Sequence, residues 1–349
     1  MSSVKSISIV GGGLAGLTLG IGLRQRGIPV TIWEAGNYPR HRVCGEFISG
    51  NGPAVLQRLG LLERFEKAGA CYARTARFFS GENRSPVREL KMPALCLSRH
   101  KMDALLADEF QRLGGELHSN SRWTGERNSE AVVHASGRRA QVTEKNPRWF
   151  GVKAHAPDGD GLKLEADLEM HISRDGYVGV NRINGGVVNV CGLFRVRDGA
   201  RRPESKQDWL RGEENSSLRR RIGAAVFDAN SFCSVAGLRL QPQRASEKDE
   251  CCIGDAVTMT PPVTGNGMSM ALESAEIAIE PLAAFSEGRW TWQEARQEIA
   301  RRCDDAFVRR LAWARWLQRM MMSSTLQGPL GAVLLRSDWL WRLMFARTR

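Results

Sequence analysis

The spacing of apolar and polar residues changes several times along the chain, and each change marks an element. Residues 6–10 form a short, apolar, β-rich run. Gly11-Gly12-Gly13-Leu14-Ala15-Gly16 follows, residues 14–26 then read as a helix stopped by Gly27, and residues 30–33 read as a second strand ending at Glu34. Residues 162–172 alternate without a break. Leu162, Leu164, Ala166, Leu168, Met170 and Ile172 share one face, expected buried, and Lys163, Glu165, Asp167, Glu169 and His171 share the other, expected wet. Residues 177–181 and 187–193 flank Asn184-Gly185, a hairpin signal, and residues 149–156 and 231–240 add strands. Together they predict a mostly antiparallel sheet of about five or more strands. From Asp305 onward the period is helical: Phe307 and Leu311 lead into Trp313, Leu317 and Met320, and Trp339, Leu340, Leu343 and Met344 repeat the pattern among arginines.

Composition narrows the class. A chain of 349 residues with 25% charged and 42% hydrophobic positions has material for one large or two interleaved units, and is neither disordered, collagenous nor membrane-spanning. The formal charge of +12 comes in short clusters such as Arg201-Arg202, Arg219-Arg220-Arg221 and Arg301-Arg302, with acids between them. No lysine-rich stripe or aromatic-basic motif accompanies it, so nucleic acid is not an expected partner. Eight cysteines without a C-x-x-C pair read as reduced thiols of a cytoplasmic protein, and six histidines without H-x-x-x-H or H-E-x-x-H spacing give no metal site. Lys5 before the uncharged run 6–23 imitates a signal peptide, but strand, turn and helix explain the glycine positions better. Near the other end the longest uncharged run, 320–335, is broken by serines, Gln327, Gly328 and Pro329 and falls short of the ~20 apolar residues of a membrane span.

The first glycine cluster carries chemistry. Gly11, Gly13 and Gly16 occupy G-x-G-x-x-G positions between a strand and a helix: the first permits the tight turn, the second lets backbone approach a pyrophosphate, and the third lets helix press on strand. Free N–H groups and the positive end of the helix dipole face the diphosphate. Glu34, 23 residues after Gly11, can accept from adenosine ribose hydroxyls and repels a 2′-phosphate. This motif alone does not separate NAD from FAD.

A second motif does. Residues 251–253 lead into Gly254-Asp255-Ala256, then Pro261-Pro262-Val263-Thr264-Gly265-Asn266-Gly267 and a helix-like run, 268–278. With these residues the chain resembles the FAD-dependent oxidoreductases of the p-hydroxybenzoate hydroxylase superfamily, and within it the geranylgeranyl-reductase-like branch. The resemblance implies non-covalent FAD, with Asp255, following Gly254, on the ribityl chain and Pro262, Gly265 and Gly267 beside the flavin ring. Glycines permit close approach to a flat ring, and the helix from Met268 aims N–H groups at its pyrimidine edge. Arg42-Val43-Cys44-Gly45-Glu46-Phe47 falls where relatives pass a loop by the cofactor, implying Arg42 at the pyrophosphate and residues 44–47 near the isoalloxazine. Ser98-Arg99-His100-Lys101-Met102-Asp103 resembles the family's helix start, whose arginine, here Arg99, faces the cofactor. Ala135-Ser136-Gly137-Arg138 departs from the relatives' A-D-G. The likeness covers residues 1–290, strong at its ends and loose between.

The implied fold is α/β: a Rossmann-type, glutathione-reductase-like FAD-binding domain from residues 1–60, 97–140 and 245–290. Interleaved with it is a mostly antiparallel substrate domain from 61–96 and 141–244, followed by C-terminal helices, 291–349. One dinucleotide fingerprint means one held cofactor, with NAD(P)H a transient reductant. The leading functional expectation is a monooxygenase that hydroxylates a small apolar aromatic or polyketide-like metabolite through a flavin C4a-hydroperoxide. The alternative is a reductase of isoprenoid C=C bonds, with Cys44 or Glu46 as proton donor; Cys44 also reads as a buried small hydrophobe and Glu46 as a loop anchor. A third reading is a non-catalytic or electron-carrying flavoprotein. Trp290-Thr291-Trp292 imitates the W-x-W-x-I-P signature of flavin halogenases, but Gln293-Glu294-Ala295 follows, and the pair reads as helix-start packing. His155 and His171 are tempting acid-base groups, His171 being expected in solvent. The basic C-terminal helices read either as cover for the main domains or as a substrate lid, membrane-surface or carrier-protein contact.

Overall fold

The computed structural model describes residues 4–137, 149–159, 161–196, 203–238, 242–322, 333 and 335–347. Arg138, Arg201-Arg202, the end of the expected 231–240 strand and most of the 320–335 run lie outside the described residues. Ile7–Val10 is the centre of a parallel five-stranded sheet in the order Cys251–Cys252, Val132–His134, Ile7–Val10, Val30–Trp33, Glu116–His118. A parallel sheet needs helical cover. Helices Leu14–Arg24, Arg99–Arg112 and Gly267–Ser286 supply it, joining Ile7, Ile9, Ile32 and Val133 in one core. The segment that imitated a signal peptide is thus a buried strand and helix.

The second sheet has nine strands. Eight run in the order Cys233–Ala236, Trp149–Pro157, Val187–Arg195, Gly176–Arg182, Leu168–Ser173, Cys71–Ser80, Arg88–Cys96 and Phe47–Ile48, and Asn83–Arg84 pairs on Cys71–Ser80. Its pairings are antiparallel except that between Leu168–Ser173 and Cys71–Ser80. The expected hairpin forms, turning at Gly185 and Gly186 with φ of +57° and +77°. In Trp149–Pro157 the two-residue period separates the faces. Val152, Ala154 and Ala156 pack with Leu210, Leu218 and Ile222, while Lys153 and His155 point the other way, toward the cofactor-loop side.

The expected strand over 162–172 is corrected: only Leu168–Ser173 is strand, and its supposedly wet face is buried. Side chains compete with the ladder ahead of it. Asp167 accepts from the Arg74 and Thr75 N–H groups at 2.8 and 2.9 Å, and Glu169 from Glu165 and Ala166 N–H at 2.5 and 3.3 Å. Glu169 also takes a two-pronged bond from Arg221, 3.0 Å on each oxygen. His171 is 4% exposed instead of solvated, bonded to Glu169 at 3.1 Å and stacked on Phe79 with centroids 4.4 Å apart. Helix Ser217–Ile222, which carries Arg221, closes over a face that the alternation alone assigned to water.

The helix Trp292–Met321 is thirty residues long. Thr291 and Glu294 cap it reciprocally and Trp292 packs edge-on against Phe285, so the Trp-Thr-Trp triplet is helix-start packing. Ile299, Cys303, Phe307 and Leu311 join the main core, and Arg310 grips Glu273 of Gly267–Ser286 at 2.8 and 3.1 Å. A last helix, Asp338–Arg347, is tied back to the nine-stranded sheet by Arg88, whose Nε meets Asp338 at 3.1 Å. No helix among the described residues is long and apolar enough to cross a membrane.

At Gly16 the chain is packed against backbone, and a Cβ would stand 2.0 Å from the Gly11 carbonyl oxygen and 3.2 Å from Ala135 Cβ. Gly16→Ala therefore pushes the first helix off its strand, at a cost of about 1–3 kcal/mol. The expected outcome is a lower unfolding midpoint and loss of bound FAD, read by calorimetry and by flavin absorbance after desalting.

Candidate functional site

A cavity of about 530 Å³ runs from the first glycine turn to the nine-stranded sheet. Gly11, Gly13, Glu34, Arg42 and Arg99 line one end. Asp255, Pro262, Gly265 and Gly267 line its middle, and Tyr177, Leu193, Val235 and Leu238 form the far wall. Both cofactor motifs, some 240 residues apart in sequence, thus open on one space.

The residues present fit a flavin dinucleotide. Beside Gly13 a Cβ would have only the Arg99 guanidinium near it, at 4.0 Å, so the first turn of the helix is open to the cavity. Glu34 lies at the end of Val30–Trp33 and accepts from Gly12 N–H at 2.9 Å and Gly36 N–H at 2.8 Å, with Arg40 at 2.7 Å. Burial pushes its carboxyl up, but the bonds and charges of Arg40, Gly36 and Arg42 outweigh this and hold it below the ordinary range. Arg99 is forked onto Asp103 at 2.8 and 2.9 Å, and Arg42 reaches the same carboxylate at 3.2 Å. Burial opposes the Arg99 charge, yet the Asp103 carboxylate beside it keeps the guanidinium firmly protonated. Gly254 adopts φ of +60° with Ala15 at 3.0 Å from where a Cβ would be, while Gly265 (φ +64°) turns the loop ahead of helix Gly267–Ser286. Gly16 sits behind the turn and outside the cavity, as a packing contact.

The loop carrying Cys44 and Glu46 is fixed from below. Cys44 and Phe47 line the cavity, whereas Glu46 is fully buried behind it. One Glu46 oxygen receives Lys153 Nζ at 3.0 Å and Arg99 N–H at 2.9 Å; the other meets His155 Nε2 at 2.6 Å. Burial pushes this carboxyl up, but the His155 bond and the Lys153 charge prevail and hold it below its usual range. Lys153 also reaches His41 Nδ1 at 3.2 Å, and His41 stacks on His100 with centroids 4.7 Å apart. Burial and the Lys153 charge push His41 down to about 4, so it is neutral at physiological pH. Asn189 donates to the Cys44 and Gly45 carbonyls at 3.2 and 3.0 Å. Sequence reasoning named His155 without a partner and missed Lys153 and Asn189. The available signal was a lysine and a histidine two residues apart on one face of an apolar strand.

With this geometry in view, likeness to known proteins defines the class. Residues 4–150 match the FAD binding domain family. The chain is 38% identical over 71 residues to a 1H-pyrrole-2-carbonyl-(peptidyl-carrier protein) brominase of Pseudoalteromonas luteoviolacea, covering 20% of this chain and 17% of that protein. It is 31% identical over 99 residues to a 3-amino-4-hydroxybenzoate 2-monooxygenase of Streptomyces platensis, covering 27% and 24%. The matches thus span about a quarter or less of these curated relatives. The fold extends further. A flavin-dependent brominase superposes with a TM-score of 0.78 at 17% identity over 99% of this chain and 93% of its own. The p-nitrophenol 4-monooxygenase of Pseudomonas putida does so with 0.73 at 15% identity over 99% and 98%. The chain is a flavoprotein with FAD as cofactor, built like the FAD-dependent oxidoreductases of the p-hydroxybenzoate hydroxylase type. The narrower likeness to the geranylgeranyl-reductase branch rests on the sequence motifs alone.

Two expectations follow from the site. Asp255→Ala and Glu34→Ala each remove an acceptor in a sheltered position, worth about 1–3 kcal/mol, or roughly 5- to 150-fold in FAD dissociation constant by fluorescence titration. Unchanged affinity in both variants would overturn the placement. Glu46→Gln leaves Lys153 buried without its countercharge and should cost about 3–5 kcal/mol at neutral pH. Because the folded Glu46 carboxyl lies below its unfolded value, this stabilisation is complete above about pH 5 and is lost as pH falls through the lowered value. The difference in unfolding free energy between wild type and variant should therefore be flat at neutral pH and shrink on acidification.

Proposed function

We propose that this chain is an FAD-dependent monooxygenase acting on a small, largely apolar aromatic or polyketide-like metabolite, with NAD(P)H as transient reductant. The observation that carries the reading is the continuity of the cavity: the Pro262–Gly267 loop and a largely apolar sheet face line one space, which leaves room for a substrate next to the residues that suit a flavin. FAD, once reduced, supplies the activation of dioxygen. The chain's own residues hold the dinucleotide through Gly11, Gly13, Glu34 and Asp255, fix the 42–47 loop through Glu46, and exclude water with the sheet. Such chemistry asks little of acid-base side chains.

Cys44 supports a second reading, reduction of a C=C bond in an isoprenoid chain. Its thiol stands on the cavity wall, and burial pushes it up despite the Arg99 charge, so it keeps a proton to give. Glu46 is the weaker donor candidate, because its carboxyl is held low with both oxygens engaged. A carrier-bound substrate also belongs to the proposal: the related brominase is named for one, and Arg309, Arg315, Arg319, Arg342 and Arg347 lie exposed on the C-terminal helices, suited to an acidic carrier.

The test exposes reduced holoenzyme to ¹⁸O₂ with a panel of small phenols, free and as carrier-bound acyl groups. A monooxygenase yields product bearing one ¹⁸O atom at the expense of NAD(P)H. Reduced flavin that persists in air and reoxidises on adding an isoprenoid alkene, at least tenfold slower in Cys44→Ser with FAD binding unchanged, establishes the reductase instead. A brominated product formed only with bromide present would replace both readings.

A further inference from the structure

A second, smaller cavity of about 110 Å³ opens beside the first and shares Phe78, Val263, Thr264, Trp341 and Phe345 with it. Ile172 of the sheet, Leu317 and Met321 of the long helix, and Leu340 and Met344 of the last helix complete an apolar chamber. Its lining includes three polar residues. Thr264 Oγ1 donates to the Pro261 carbonyl at 3.2 Å. Arg88, the one charged lining residue, is paired with Asp338 at 3.1 Å, donates to the Leu335 carbonyl at 2.8 Å, and lies over the Trp341 ring at 5.4 Å. The third is Ser80, the last residue of its strand. It is 2% exposed, and among the described residues its Oγ has no hydrogen-bond partner.

A buried hydroxyl left unpaired is costly, and Ser80 lines a chamber built by three separate elements, where a turn about its Cα–Cβ bond would bring the hydroxyl to the cavity. We propose that the side pocket holds one end of the substrate: an uncharged, flat, mainly apolar group bearing a single hydrogen-bonding atom, as in a phenol, ketone or alcohol, which pairs with Ser80 Oγ. At about 110 Å³ the pocket is smaller than the roughly 150 Å³ apolar cavity that takes up benzene, so it takes no more than one ring and a second ring stays at the shared mouth. Methionines 321 and 344 let the walls adapt to its shape. An anionic end is not selected, because the Arg88 charge is already matched by Asp338. The shared mouth at Phe78 and Trp341 leaves the rest of the molecule in the main chamber, toward the Pro262–Gly267 loop. That the ligand is the substrate rests on the flavoenzyme reading above; that the pocket binds such a group does not.

Binding to the FAD-loaded full chain by titration calorimetry tests this, with naphthalene, 2-naphthol and 2-naphthoate as probes. We expect 2-naphthol to bind at least fivefold tighter than naphthalene, and 2-naphthoate more weakly than 2-naphthol. Ser80→Ala should erase the preference for 2-naphthol while leaving naphthalene affinity unchanged. Met344→Trp should fill the pocket and weaken both neutral probes at least tenfold, with FAD content and unfolding midpoint retained. Leu317→Phe provides the same block if that variant does not fold. Equal binding of naphthalene and 2-naphthol to the wild type, preference for 2-naphthoate, or undiminished binding to the filled variants would each overturn the proposal. Because binding is read without turnover, it can hold where no ¹⁸O enters product. Conversely, oxygenation with unchanged KM in the filled variants would remove the pocket and leave the monooxygenase standing.

Discussion

A carboxylate with no exposure to water must find cations and donors inside the protein, and Glu46 finds them on two other parts of the chain. Lys153 and His155 come from a strand of the large sheet; the Arg99 N–H comes from the first turn of a helix covering the parallel sheet. Burying one of these charges alone would be strongly unfavourable, so each of the three segments is stabilised in place by the other two. Glu46 also holds φ of +57°, a backbone region that side-chain-bearing residues seldom occupy, and its bonds retain it there. The result is a rigid floor under Cys44, Gly45 and Phe47, the residues that face the cavity.

On that floor the cavity is electrically divided. One end carries Glu34, Arg42 and Arg99, tied to one another and to Asp103 in a chain of ion pairs, and suits the charged, hydroxyl-rich part of a dinucleotide. The other is walled by apolar side chains of the nine-stranded sheet and suits what is flat and uncharged. The charges that do occur near that wall are satisfied among themselves: Glu169 by Arg221 and His171, Arg88 by Asp338. Paired in this way, they shape the chamber without imposing a charge preference on its contents.

The C-terminal helices show how one amphipathic pattern serves two purposes. The stripe of Ile299, Cys303, Phe307 and Leu311 continues the main core, and about two to three turns later Leu317 and Met321 have passed beyond it and line the side pocket. The same helical period therefore reads as core cover and as chamber wall. Trp341 and Phe345 complete the roof, held there by Arg88 from a strand some 250 residues earlier.

The glycine turn, the two first strands, Glu34, the late Gly254-Asp255 motif and the hairpin at Gly185 were legible in the sequence. Each depends on local backbone conformation, close approach or a two-residue period, properties that neighbouring residues impose on one another. The fates of Glu169, His171, Lys153 and His155 were not legible in this way. Alternation identifies two faces but not what covers each, and here a short helix bearing Arg221 buried the polar one. Likewise Glu46 and His155 are 109 positions apart, and no spacing rule connects them. Sequence alone determined the strand, glycine turn and helix whose geometry suits a dinucleotide, because that geometry is made by consecutive residues. Only the tertiary structure decided which charges are buried and which apolar wall shares a cavity with the Pro262–Gly267 loop, because those depend on distant segments meeting where water is excluded.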